Sequence, residues 1–493
     1  MRMLSIQFGK EKSLLFKRKA VECINRRSFN DALLYIQAAA WVNYSFYLGY
    51  CDDDLETCIS QISSNIVSKE FSLRNKKSVV FLDAFSKDTS ALSSQYIDAI
   101  IAAQMNLLYI YENDILHDER SSSIYNRLVK YDNAKIIRVP IELEPYQKAQ
   151  WLYDTIVTYG SDKLIMQLLP DSAIECTAVR ALPNDIIKFQ VNLTDHTFWL
   201  GKGCTDYTFE FRQKGCSISR DYRGLEKNQI LLMPFYPSAS DNSFEGFPIS
   251  TEDKVVIFSG GAYYKVIDDN NTFFNICKGI IDRNKNSVIF FATDDKSGAI
   301  KKIIEDYDFD NRFLLLPYRN DIAAFFQHVD IYLNTYPFGG GLMCQYASQN
   351  SVPILNFRLK EIEGCVSQKR NVAFTSYSWK ELFEESERLC NDIKYRKQKG
   401  RELKECVISR DDFNNNFVSA ISFLRTPTQI AFEQIDDKLD KGAKLKSLNS
   451  THEFSRNIIR KLGFKKSVCY LTTIFMYELP YFIGMRLNRI IKR

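Results

Sequence analysis

The chain has no C-x-x-C pair, no G-x-G-x-x-G, no G-x-x-x-x-G-K-S/T, and only four histidines and 20 glycines in 493 residues. The first absence removes zinc ribbons and thioredoxin-type redox centres. The twelve cysteines are scattered and read as reduced core residues of a cytosolic protein. The next two absences remove the usual dehydrogenase and P-loop fingerprints. A strong charge bias is also missing: 65 Lys and Arg against 60 Asp and Glu leave +5, too little for a dedicated nucleic-acid binder. The opening "MRMLSIQFGKEKSLLFKRK" holds no apolar run of signal-peptide length, which points to the cytoplasm. "DDD" at 52–54 and "DYDFD" at 306–310 mimic Asp-x-Asp metal motifs, but fall in a helical segment and a helix–strand loop. No metal and no bound cofactor is expected.

What is present is an ordinary globular composition, 45% hydrophobic and 25% charged, on a chain long enough for several domains. Residues 1–74 read as helical, with a hairpin in "FNDALLYIQAAAWVNYSFYLGY" and "DDDLETCISQISSNIV" and Asp52 as an N-cap. From 75 to 236 strands such as "KSVVFLDAF", "NLLYIYE", "AKIIRVP" and "DKLIMQLL" alternate with helical stretches. After a Ser-, Asp- and Asn-rich linker the alternation restarts and runs to 425. The expected fold class is α/β: two doubly wound, Rossmann-like domains with a cleft between them, a helical N-terminal appendage and a C-terminal tail over 426–493.

Ligands of open α/β sheets sit at the carboxyl ends of the strands. Three such ends stand out in the second half. "FSGGAYYK" places Gly260 and Gly261 after a strand with Lys265 close behind, and "LPYRND" ends a strand with Tyr318 and Arg319. "YPFGGGLMCQYA" sets Phe338, Gly339, Gly340 and Gly341 between a strand and a helix, whose free N–H groups suit an anion. The alternative for each is a plain turn or a solvated charge. Together they suit a nucleoside diphosphate: amides and Lys265 for the phosphates, Tyr318 or Arg319 for the base.

In the first half, "NLTDHTFWLG" follows a strand with Asp195 and His196. His196 is the best placed of the four histidines to accept a proton near neutral pH; its rival role is to hold a loop. Glu210 and Arg212 in "FEFR" are candidate acceptor contacts, with an internal salt bridge as the rival account.

With these motifs the chain resembles glycosyltransferases of the GT-B fold. It is most similar in style to bacterial enzymes distantly similar to O-GlcNAc transferases and adhesin-modifying glucosyltransferases, over residues of roughly 30–425. The resemblance implies metal-independent transfer of a UDP-linked sugar to a hydroxyl of a glycan, lipid-linked or protein acceptor in surface polysaccharide or glycoconjugate synthesis. It further implies donor binding by the second domain, with Gly339–Gly341 along the diphosphate, Lys265 neutralising it and His196 as base. One departure is that Gln345 or Gln349 stands where many such enzymes hold the ribose with a carboxylate. The alternatives are a sugar-nucleotide epimerase of the same fold and a non-catalytic nucleotide-sugar-binding scaffold.

Residues 455–493 carry nine Lys or Arg against one acid, Glu478, around an apolar stretch broken by Pro480. An amphipathic segment on an anionic membrane face suits this composition; a helix docked on the protein itself is the alternative.

Overall fold

Two all-parallel sheets, one of seven strands and one of six, organise the computed structural model. It describes residues 5–74, 76–85, 91–112, 123–237, 242–293, 298–357, 374–432, 434–435 and 451–468. The described residues up to Met233, with Asn414–Ile435 and the helix Thr451–Val468, make one compact unit; those of Pro234–Phe413 make the second. The segment after the second sheet thus returns to the first unit.

In the first unit the strands are β1 (Ser78–Asp83), β2 (Asn106–Tyr111), β3 (Ala134–Arg138), β4 (Lys163–Gln167), β5 (Ile187–Val191), β6 (Tyr207–Glu210) and β7 (Ile230–Leu232), in spatial order 3-2-1-4-5-6-7. The chain winds outward from β1 to β3 and then restarts at β4 beside β1. β1 therefore pairs with β2 from Ser78↔Asn106 to Asp83↔Tyr111 and with β4 from Val80↔Leu164 to Asp83↔Gln167. Near-continuous apolar runs such as "SVVFLD" are buried along their whole length, as strands covered on both faces must be.

Three helices, Ile6–Asn25, Phe29–Ser45 and Asp53–Ser63, precede β1, one more than the expected hairpin, and residues 64–74 form no helix. Asp52 caps the third as expected, accepting from the N–H groups of Asp54 and Leu55 at 3.1 and 3.2 Å. It also pairs with Lys17, so the "DDD" run serves a helix start. These helices share one apolar core with the first sheet: Phe16, Ile36, Leu55 and Ile59 join Val80, Leu108, Leu164 and Ala178. They roof the sheet rather than hang from it. Among other aromatic contacts, Tyr96 stacks on Phe209 and meets Phe417 of the returning helix Arg410–Phe423 edge-on.

The second sheet contains β8 (Val255–Gly260), β9 (Ser287–Ala292), β10 (Phe313–Leu316), β11 (Ile331–Leu333), β12 (Ile354–Phe357) and β13 (Phe374–Ser376), in order 10-9-8-11-12-13. The same outward winding and restart places its switch point between β8 and β11. Both predicted doubly wound sheets are present.

The described part of the tail takes the docked alternative. Residues 426–432 and 434–435 form no helix and are pinned to the first unit, where Gln213 accepts from the Ala431 N–H at 2.8 Å and Tyr222 Oη donates to Ile435 O at 2.7 Å. The helix Thr451–Val468, broken at Gly463 (φ 73°), buries Phe454, Ile458 and Leu462 in the first unit's core. Phe454 packs against Phe8, Trp41 and Phe46 at ring distances of 5.2, 5.4 and 5.8 Å. Lys461 and Lys466 form ion pairs with Asp171 and Asp31. Up to 468 the tail is docked on the protein, because its apolar side finds aromatic partners there; residues 469–493 of the proposed membrane segment lie outside the described residues. Among the described residues no helix is long and apolar enough to cross a membrane.

Candidate functional site

At the switch point of the second sheet, β8 ends on Gly260, and the Gly261 N–H donates to Ala292 O at 3.0 Å. The chain then turns through a single 3-10 turn, Tyr263–Lys265. The stem of Lys265 lies over Gly261: a Cβ there would stand 3.2 Å from Lys265 Cδ and 3.5 Å from Thr335 Cγ2. Lys265 is half-buried, and burial pushes its ammonium below the usual lysine range. No carboxylate is paired with it among the described residues. A desolvated cation without an acid beside it is costly to keep and is suited to an anion from outside.

Beside it, β11 leads through Asn334 and Thr335 into the three glycines. The Thr335 hydroxyl donates to Phe338 O at 2.5 Å, and the Phe338 N–H reaches Lys265 O at 3.4 Å, which ties the two turns together. Asn334 Oδ1 accepts from Thr335 N at 3.1 Å and Gly340 N at 2.8 Å, while its Nδ2 donates to Asn356 Oδ1 at 3.0 Å. The three glycines are thus unequal. Gly340 is buried with its N–H taken by Asn334, so the expected three-amide contact loses its middle member. Gly341 is exposed and opens the helix Gly341–Gln349, with nothing within 4 Å of where its Cβ would stand. Gly340 has no side chain to cap that helix, so the first-turn amides keep their unused donors. Gln345, one turn on, has a buried Oε1 without a hydrogen-bond partner.

Two other expected donor contacts fare differently. Arg319 is 9% exposed and gives its guanidinium to Asp321 at 2.7 and 2.6 Å and to Gly246 O at 3.2 Å. It braces the start of the second unit and is not available to a base. Although burial opposes it, Arg319 holds the Asp321 carboxyl below the usual range. Tyr318 is 69% exposed at the sheet's edge.

In the first unit Asp195 and His196 follow β5. His196 Nδ1 lies 3.2 Å from Asp195 Oδ1, with the imidazole 37% exposed and the carboxylate fully buried. Burial alone would raise the Asp195 carboxyl, but Arg212 and His196 hold it well below the usual range. An ionised carboxylate only accepts, so His196 donates from Nδ1 to Asp195. Arg212 is spent on Asp195, at 2.5 and 2.7 Å, rather than on an acceptor or on Glu210.

The acceptor role expected of Glu210 is likewise corrected, because its carboxylate is wholly buried. It accepts from Asn192 Nδ2 at 2.8 Å and Ser219 Oγ at 2.5 Å, and burial, outweighing Arg223, raises its carboxyl. Gly215 allows this crowding: a Cβ there would stand 2.9 Å from Asp195 Oδ2. The sequence reading missed Asn334, which shapes the glycine turn, since a lone Asn after a strand has no motif to announce it.

No protein-family model matches the sequence, and no curated protein is significantly similar to it. Solved structures do match in shape. An O-GlcNAc transferase from Thermobaculum terrenum aligns with TM-score 0.51 at 11% identity, over 90% of this chain and 84% of that one. TarM from S. aureus, solved with Fondaparinux, alpha-GlcNAc-glycerol and UDP, aligns with TM-score 0.51 at 8% identity, over 71% and 100%. The lipopolysaccharide outer core galactosyltransferase WaaB aligns with TM-score 0.50 at 10% identity, over 70% and 99%. Identities this low bear on architecture alone, and by architecture the chain has the GT-B fold of these glycosyltransferases.

Proposed function

We propose that the protein is a glycosyltransferase that moves a sugar from a UDP-linked donor to a hydroxyl acceptor, in the cytoplasm, during synthesis of a surface polysaccharide or glycoconjugate. The observation that carries this reading is the half-buried Lys265, without a carboxylate partner among the described residues, in a turn tied to the one that opens the uncapped helix at Gly341. A diphosphate supplies negative charge to a lysine that has no carboxylate partner among the described residues.

In this reading Lys265 and the first-turn amides take the charge that develops on the diphosphate as the bond from C1 of the sugar to the phosphate oxygen breaks. Lysine and amides do this without a metal. Gln345 is within the same helix and offers an amide to a donor hydroxyl. His196 Nε2 takes the proton of the acceptor hydroxyl as its oxygen bonds to C1, and Asp195 stabilises the imidazolium that results. UDP and the glycosylated acceptor are the products.

The test is a thermal-shift screen against UDP, GDP, CMP and their sugar conjugates, followed by turnover of the stabilising donor in His196→Ala. Selective stabilisation by UDP compounds, with turnover lost and UDP binding kept in H196A, supports the reading. Indifference to every nucleotide rejects it. Full turnover in H196A removes His196 from the base role.

A further inference from the structure

We infer that Arg223 is a positioning residue for His196: a guanidinium sealed inside the first unit that fixes the main chain from which the imidazole projects. This rests on the base role proposed for His196. Arg223 is wholly buried and among the largest such side chains among the described residues. Its Nη2 donates to Thr194 O at 3.4 Å, Asp195 O at 2.9 Å and Thr197 O at 2.7 Å, carbonyls on both sides of His196. Its Nη1 donates to Ser219 Oγ at 3.1 Å, and Ser219 in turn donates to the buried Glu210 at 2.5 Å. The rings of Tyr50 and Trp199 lie 5.5 and 5.1 Å from the guanidinium carbon.

The same short stretch of chain therefore holds Asp195 at both ends. Arg212, immediately before the helix Gln213–Asp221, grips its carboxylate; Arg223, just after that helix, grips its carbonyl. Between the two arginines the side chain that orients Nδ1 of His196 has little freedom to turn. The planar fork of arginine reaches several carbonyls from one rigid group, which a lysine ammonium on a flexible stem does not reproduce.

A role in stability alone explains the arrangement poorly. A buried ion network is often matched or bettered by apolar residues of similar volume. This network is also incompletely satisfied, since Arg223 Nε and Glu210 Oε2 are buried without partners. What the network does achieve is a defined backbone around one partly exposed histidine.

The experiment uses the full chain and the conservative variant Arg223→Lys. Four histidines make the imidazole resonances tractable by nitrogen-15 NMR, and H196A assigns the one of interest. Among the described residues Asp195 meets the imidazole directly, Arg212 pairs with Asp195, and Arg223 and Glu210 are charged groups near Asp195. In R223K the His196–Asp195 contact loosens, so the imidazole loses its anionic neighbour and titrates lower by about half a pH unit. Turnover of UDP-glucose or UDP-N-acetylglucosamine falls about tenfold in kcat while UDP affinity stays unchanged.

A folded R223K whose His196 resonance, titration and kcat all match the wild type overturns the inference. If H196A keeps full turnover, the base role fails, yet the NMR arm still decides whether Arg223 positions His196. Should R223K not fold, Ser219→Ala removes the Nη1 anchor and is read the same way, with a smaller shift supporting the inference and none rejecting it.

Discussion

Arg212 holds both carboxylate oxygens of Asp195, with Nε 2.5 Å from Oδ2 and Nη2 2.7 Å from Oδ1, and the carboxylate is wholly buried while the guanidinium still touches solvent. The pair places a permanent anion behind His196 and makes its ionisation part of the folding equilibrium.

Removing the guanidinium in Arg212→Ala leaves that anion uncompensated and costs about 3 kcal/mol, read as a lower urea midpoint at neutral pH. The Asp195 carboxyl is depressed in the folded state. Its contribution is therefore fully present above its unfolded value, near 3.8, and is lost as pH falls toward the folded one. In R212A the carboxyl rises, so acid unfolding sets in at higher pH than in the wild type. Equal acid midpoints in the two proteins would contradict this.

Lys265 bears the opposite sign. Burial lowers its ammonium, so the folded state holds its proton less firmly than the unfolded chain does. Its destabilising effect is full below the folded value and fades as pH rises toward 10.5. Lys265→Met is expected to melt at a higher temperature than the wild type at pH 7, with the difference shrinking at alkaline pH. UDP affinity falls about tenfold or more in the same variant. A variant that binds UDP normally separates this lysine from the diphosphate.

Gly341 and Gly340 should respond differently to a methyl group. Space is open at Gly341, so Gly341→Ala keeps stability within about 0.5 kcal/mol of the wild type while the new methyl obstructs the approach of a phosphate. UDP titration calorimetry is expected to show about a tenfold weaker complex. In Gly340→Ala the Cβ meets Tyr332 Oη at 3.3 Å and Met343 at 3.5 Å, and melting temperature falls as well.

Phe454 reports on the tail. Its ring is buried among Phe8, Trp41 and Phe46, and Phe454→Ala should cost about 3 kcal/mol by leaving an aromatic-sized cavity. Truncation after residue 450 exposes the same apolar patch and lowers the melting temperature of the first unit below that of the chain truncated after residue 468. Equal stability of the two truncations would show that the helix does not hold on in solution.

The strands were readable because parallel strands covered on both faces must be apolar along their length, and "SVVFLD", "NLLYIY" and "SVIFFA" announce themselves by that requirement. The turns after β8 and β11 were readable because their glycines interrupt an apolar strand pattern at a strand end. Arg319, Glu210 and Arg212 looked equally available in one dimension. Their partners Asp321, Ser219 and Asp195 lie 2, 9 and 17 residues away, and only folding shows that these polar groups satisfy one another.

The amino-acid order alone determined that this chain makes two doubly wound sheets with glycine-rich turns at a strand end of the second, since strand burial and turn chemistry are local requirements. The tertiary structure decided which charges are spent inside, that Gly340's amide is taken while Gly341's surroundings are open, and that the basic helix after residue 450 covers its own protein. Those outcomes depend on which distant group reaches a buried charge or apolar face first, a matter of packing in three dimensions.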